Sequence, residues 1–312
     1  MRVFVTGASG YIGSAVAREL VRAGHEVTGL HHSAETVDAV RAAGATPVRG
    51  DMIEPATYAE AAAGHDVLIH MAADYENPVA ADAAAVDTLI EAARSHMIRD
   101  AHFIYTSGCW VLGDTGGTPA DEDYPTDHPA EIVAWRPAHE ERVLGIPGEG
   151  SDLTGTVIRP GMVYGGGAGL VTPMFASVVE EGAAKFVGDG ENHWSMIHRD
   201  DLAALYLRVV EERASGIFHG VDGSPTRVIE VARAASEAAG AGAETRSVPV
   251  EEAREGLGAV ADALVLDQKL VTHRGEEVGW KPAHPSFVEG AGAAWREFRL
   301  GERESARGNA RT

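Results

Sequence analysis

Short apolar runs alternate along the first half of the chain with longer segments whose apolar positions recur at helical spacing. Residues 2–6, Arg-Val-Phe-Val-Thr, form a β-branched run of the kind expected for a strand buried on both faces. Similar runs follow at 26–31, 46–49, 66–73, 102–108 and 156–159, and another at 216–221. Between them lie helical stretches: 14–23, closed by Gly24 as a left-handed stop, the Ala-rich segment from Pro78 to His96, and 131–144. Strand and helix in strict alternation predict an α/β fold, a Rossmann-type doubly wound parallel sheet with its ligand along the carboxyl edge. The chain then turns glycine-rich at Gly165-Gly-Gly-Ala-Gly169. The expected division is a dinucleotide-binding domain over 1–165 with a returning strand near 216–221, a smaller C-terminal substrate lobe over 166–300, and a polar, frayed tail at 301–312.

Composition narrows the classes. Of the 312 residues 45% are hydrophobic and 23% charged, the make-up of an ordinary globule, and no apolar run reaches the roughly 18–20 residues of a membrane span. The opening Met1-Arg-Val-Phe-Val leads straight into a strand, unlike a signal peptide, and the single cysteine, Cys109, fits a reducing cytoplasm. With 26 Lys and Arg against 47 Asp and Glu the net charge is −21, which repels nucleic acid and leaves a small molecule as the expected partner. No spacing of His, Cys, Asp or Glu suggests a metal site.

The first strand runs into Gly7-Ala-Ser-Gly10-Tyr-Ile-Gly13 and then a helix. In that order Gly7 permits the tight turn, Gly10 lets backbone amides approach a pyrophosphate, and Gly13 lets the helix pack closely on the sheet. The helix N-terminus then faces the phosphate charge. An NAD-preferring unit usually ends its second strand in an acid that holds the ribose hydroxyls. Here that end reads His31-His32-Ser33, so a 2′-phosphate would meet imidazoles and a hydroxyl. The reading is NADP(H) preferred, NAD(H) possible, with a solvated loop as the alternative for the histidine pair.

Together these pieces resemble the extended short-chain dehydrogenase/reductases, also described as the NAD-dependent epimerase/dehydratase family. The segment Thr6-Gly-Ala-Ser9-Gly-Tyr11-Ile12-Gly13 matches that family's TGxxGxxG loop. The resemblance implies an adenine contact from Asp51, with Met52 beside it, and a cofactor wall from Met71, Ala72 and Ala73. It also implies a nicotinamide-flanking segment at Arg159-Pro160-Gly-Met-Val163-Tyr-Gly165. Ile197-His-Arg-Asp-Asp-Leu202 and Val278-Gly-Trp-Lys-Pro282 resemble two later segments of the family. The implied assembly is a homodimer through the helices near 78–96 and 130–145.

The family moves a proton with a Ser followed by Tyr-x-x-x-Lys. Ser107 matches the serine, but aligning Glu140 with the family's trailing Glu puts Ile132 at the tyrosine and Arg136 at the lysine. Isoleucine transfers no proton, and the pattern looks like the atypical branch that lacks the dyad. Arg136 could contact a ribose or carry charge near the nicotinamide. Tyr75 or Tyr164 could supply a phenol, or both could be wall and packing. Cys109 could face the cleft or be buried and inert. Met174, Phe175, Phe186, Trp194 and Met196, with Trp110 and Trp135, could line an apolar substrate site or form core. The expected function is an NAD(P)-dependent oxidoreductase acting on a carbonyl or alcohol of a small, partly apolar molecule. The alternative is a non-catalytic NADP(H)-binding sensor.

Overall fold

The computed structural model describes residues 1–95, 100–146 and 153–309. In chain order the strands and helices are β1 (Arg2–Thr6), α1 (Tyr11–Arg22), β2 (Glu26–His31), α2 (Ala34–Ala42), β3 (Thr46–Arg49), α3 (Ala59–Ala62), β4 (Val67–His70), α4 (Pro78–Ser95) and β5 (Ala101–Thr106). There follow β6 (Pro119–Ala120), α5 (Arg136–Leu144), β7 (Leu153–Pro160), β8 (Met162–Tyr164), α6 (Thr172–Glu181), β9 (Ala184–Val187), β10 (His193–Trp194), β11 (Met196–His198), α7 (Arg199–Glu212) and β12 (Gly216–Gly220). The chain closes with β13 (Thr226–Arg227), α8 (Val228–Ala238), β14 (Thr245–Val248), α9 (Val250–Leu257), α10 (Val260–Leu264), β15 (Lys269–Leu270), α11 (Arg274–Glu277) and α12 (Phe287–Asn309).

The central sheet has the order β12-β7-β5-β4-β1-β2-β3, and all its pairings are parallel. Its inner strands are buried runs because helices cover both faces, whereas the edge strand β3 has no buried residue: Val3 and Val5 join one core with α1 and α7, while Phe4 and Leu68 join the other with α4. The chain winds outward from β1 through β2 to β3, then returns to place β4 on the other side of β1. The loops after β1 and β4 therefore flank a switch point, where open parallel sheets bind ligands.

A third core gathers Met174, Phe175, Phe186, Trp194 and Met196 with Phe287 and Phe298 of α12. The first five are all buried, so these members of the apolar set considered for a substrate site are packing material here, whereas Trp110 and Trp135 are half-buried.

Two expectations from the sequence need adjusting. Residues 131–144 do not form one helix: Glu131–Val133 is a 3₁₀ turn and α5 starts at Arg136, with Pro137 in its first turn. Proline has no N–H to give an earlier turn but suits a helix start, so the chain restarts there. Strand β4 ends at His70, leaving residues 71–73 free of the ladder. Helix α12 continues through the polar tail to Asn309. His96 lies outside the described residues.

Candidate functional site

Gly7 leaves β1 with φ +72°, in the left-handed region. A Cβ there would stand 2.8 Å from the Ala72 amide nitrogen, and one on Gly13 would collide with the Gly7 carbonyl oxygen. Both positions therefore require glycine: the loop is threaded between α1 and the end of β4. Gly10 caps α1 with no side-chain hydrogen bond, and the helix's first turn holds no acid. Its amides and the positive end of its dipole are open to an anion.

They face a cavity of about 420 Å³. The phosphate loop contributes Gly7, Ser9, Gly10, Tyr11, Ile12 and Gly13; the end of β2 contributes Leu30, His31 and His32; the end of β3 contributes Gly50, Asp51 and Met52. The fourth wall is the segment Met71, Ala72, Ala73, Asp74 and Tyr75. Four segments separated in sequence thus converge because four parallel strands end on one edge. Leu30 and Asp74 were missed by the motif reading, since each lies one position outside a matched residue. Strand β2 ends in an imidazole in place of a carboxylate, and the His31 ring contacts the Ser33 carbonyl; the Glu35 and Asp74 carboxylates lie near His32. The cradle fits a dinucleotide: glycines sit where a Cβ would collide, helix amides are uncapped, and the cavity runs along four strand ends.

Other expected residues lie elsewhere. Ser33 caps the start of α2 outside the cavity lining. Pro160 ends β7 opposite Gly220, and Val163 is buried in β8. Ser107 follows β5, its amide donating to the Ile158 carbonyl at 2.8 Å while its buried hydroxyl has no partner. Arg136 reaches the same corner from α5, where Nη1 donates to the carbonyls of Thr106 (2.8 Å) and Ser107 (3.0 Å). Its Nε is buried and unpartnered.

Of the two phenols considered, Tyr75 is 94% exposed at the cavity rim, carried on a turn whose Asp74 carboxylate accepts the amides of Glu76 and Asn77. Tyr164 is buried between His198 and Phe287, and burial first, then nearby carboxylates, push its phenol far above the ordinary range. It is sealed in the third core. Cys109 is also buried, which raises its thiol to about 12. Tyr11 is tied down, its hydroxyl donating to the Gly165 carbonyl at 2.7 Å, which fastens the glycine-rich segment to the start of α1.

Two resemblance segments prove to be parts of one clamp. The Asp201 carboxylate accepts the amides of Ala283 (3.0 Å) and His284 (2.8 Å), and Trp280 donates its indole N–H to the Asp201 carbonyl. Glu140 is consumed in a buried ion pair with Arg159, the closest contact being 2.6 Å. Beneath the cavity wall the buried Asp82 carboxylate meets His70, Tyr105 and Trp135, an arrangement that no motif announced.

The family model described as "NAD dependent epimerase/dehydratase family" matches residues 3–219. An uncharacterized protein of Schizosaccharomyces pombe is 31% identical over 305 residues, 92% of this chain and 97% of that one. A 2-alkyl-3-oxoalkanoate reductase of Stenotrophomonas maltophilia is 30% identical over 69% of this chain and 67% of its own. A ketoreductase of Stigmatella aurantiaca is 30% identical over 81% of this chain and 78% of its own. Among solved structures, the human epimerase family protein SDR39U1 with NADPH superposes with a TM-score of 0.75 at 22% identity, covering 96% of this chain and 99% of that one. A UDP-glucose 4-epimerase of Thermotoga maritima with UDP-glucose superposes with a TM-score of 0.79 at 21% identity, covering the same shares. The matched segments, their order along the chain and the shared sheet leave one conclusion: this chain belongs to the NAD-dependent epimerase/dehydratase family.

Proposed function

We propose that the chain is an NAD(P)-dependent oxidoreductase, with NADP(H) preferred, that acts on a carbonyl or alcohol of a small, partly apolar molecule. The observation that carries this reading is the glycine-cradled cavity along the strand ends, walled at β2 by His31 and His32 where an acid would repel a 2′-phosphate. Relatives named as reductases of oxoalkanoates and of a farnesylated quinoline oxide support the reaction class. When bound, the nicotinamide supplies or accepts hydride.

Ser107 donates its hydroxyl to the reacting oxygen, and Arg136, anchored on the main chain of the same corner, keeps a fixed positive charge beside it. Ile132 takes the place of the family's tyrosine, so the proton comes from the Tyr75 phenol, a water or the substrate. Tyr75→Phe tests the first source: unchanged turnover dismisses it, and a loss above about tenfold supports it. A second reading, an NADP(H)-binding sensor, draws on Ile132 and on the burial of the Ser107 hydroxyl. The domain division at residue 165, a homodimer through α4 and α5, and a cytoplasmic location belong to the same proposal. Among the described residues no helix is long and apolar enough to cross a membrane.

The test is fluorescence titration with NADPH and NADH, followed by NADPH consumption against ketones, aldehydes and imines. Tight NADPH binding with turnover supports the oxidoreductase. Tight binding with no turnover on any compound supports the sensor, and failure to bind either nucleotide refutes both.

A further inference from the structure

Asp82 lies in the first half of α4 with its carboxylate buried against the sheet. Three donors converge on it: His70 Nε2 at 2.9 Å, the Tyr105 hydroxyl at 2.6 Å and the Trp135 indole nitrogen at 3.1 Å. His139 Nε2 stands farther off at 3.9 Å. Burial alone would raise this carboxyl. The bonds from His70 and Tyr105 and the positive Arg136 nearby outweigh that effect and hold it well below the usual carboxylate range.

One arm runs to the cofactor wall. The Thr6 hydroxyl oxygen accepts the amides of Met71 (3.1 Å) and Ala72 (3.3 Å), so its own proton points to His70 Nδ1 at 2.7 Å. Nδ1 must then offer a lone pair, which puts the ring's proton on Nε2, facing Asp82. Thr6 directly precedes Gly7, and Met71 and Ala72 line the cavity. The other arm runs to the reaction corner, because Trp135 leads directly into α5 and Arg136 rests on the carbonyls of Thr106 and Ser107.

A buried carboxylate is a weak route to stability, since a well-packed apolar side chain does as well or better. What it adds is direction, because an ionised carboxylate only accepts. We propose that Asp82 is a positioning residue that holds His70 as the Nε2–H tautomer and Trp135 at the head of α5, so that one buried anion sets both the cavity wall and the Ser107–Arg136 corner. The part concerning turnover rests on the oxidoreductase reading. The part concerning the wall does not.

The discriminating variant is Asp82→Asn, whose amide has the same size but cannot accept from His70, Tyr105 and Trp135 together. In the ¹⁵N-histidine-labelled full chain, long-range ¹H–¹⁵N spectra should give His70 as Nε2–H, assigned with His70→Gln. Asp82→Asn should shift His70 to Nδ1–H or free the Trp135 indole proton, and should weaken NADPH binding about tenfold, the weight of one charge-assisted hydrogen bond. Trp135→Phe removes the second arm alone and should lower turnover about tenfold, with NADPH affinity held within about twofold.

The proposal is overturned if His70 in the unaltered chain is Nδ1–H. It is also overturned if Asp82→Asn lowers only the melting temperature, with tautomer, affinity and turnover unchanged. If Asp82→Asn does not fold, Tyr105→Phe and Trp135→Phe carry the test one donor at a time: no change in the Asp82 contacts read at His70, and none in turnover, overturns it. If the unaltered chain turns over no carbonyl, the oxidoreductase reading fails, while the tautomer and the NADPH affinity still decide the positioning role at the wall.

Discussion

His102 makes a sharp test of how far burial controls this fold. The residue sits fully buried in β5, with Nε2 2.7 Å from the Thr156 hydroxyl oxygen. Thr156 donates its own proton to the Ala214 carbonyl, so His102 must donate through Nε2. Nδ1 is left as a buried lone pair with no partner. Protonation would place a second N–H there with nothing to accept it. Burial first, then the charge of Arg213, pull the ring down to about 3.

An unfolded histidine titrates near 6.5, so the unfolded chain binds the proton more readily. The contribution to stability is therefore complete above about pH 6.5 and is lost as pH falls from there towards 3. Between pH 7 and pH 5 the loss from this one group is about 2 kcal/mol. Glutamine at position 102 keeps a donor for Thr156 but cannot titrate. Urea unfolding of the unaltered chain and His102→Gln at both pH values isolates the group, because every other titration is common to both. The variant should start less stable at pH 7 yet lose about 2 kcal/mol less on moving to pH 5. If the two proteins lose the same amount to within about 0.5 kcal/mol, the reasoning is refuted, since that is the error of additive bookkeeping.

Three further outcomes are expected. Gly13→Ala places a methyl against the Gly7 carbonyl and should lower NADPH affinity by more than about tenfold in a fluorescence titration; unchanged affinity would mean that the loop yields freely. Glu140→Ala leaves Arg159 charged and unpaired in the interior, so calorimetry should show a loss of about 3–5 kcal/mol, and a loss below about 1 kcal/mol would contradict the burial of the pair. The Cys109 thiol, raised to about 12, should resist iodoacetamide at pH 8 in the folded chain and react readily in urea; rapid labelling of the folded chain would place it at the surface.

Much of this protein is written in its linear pattern. Continuous apolar runs such as residues 2–6, broken by helical periodicity, are what a strand buried on both faces between covering helices must look like, so the parallel sheet could be read without coordinates. The glycines of the phosphate loop were equally legible, because Gly7 and Gly13 are demanded by local backbone geometry and close approach. Cavity-lining residues adjacent to strand ends, such as His31, Asp51 and Met71, follow once strand order is assumed, since every strand end delivers its next residues to one edge.

Tertiary structure decided what side chains meet. Whether Tyr164 could serve as a phenol depended on His198 and Phe287, both distant in the chain, closing over it. The aromatic set after residue 165 became core because α12 returned to cover it. The split of 131–144 followed from Pro137, a local signal outweighed by the helical periodicity around it. Asp82 belongs to no motif of the Ala-rich segment from Pro78 to His96. Its role emerges only when β4, β5 and the head of α5 aim three donors at it, because hydrogen-bond direction belongs to the packed arrangement and leaves no periodic trace in the chain.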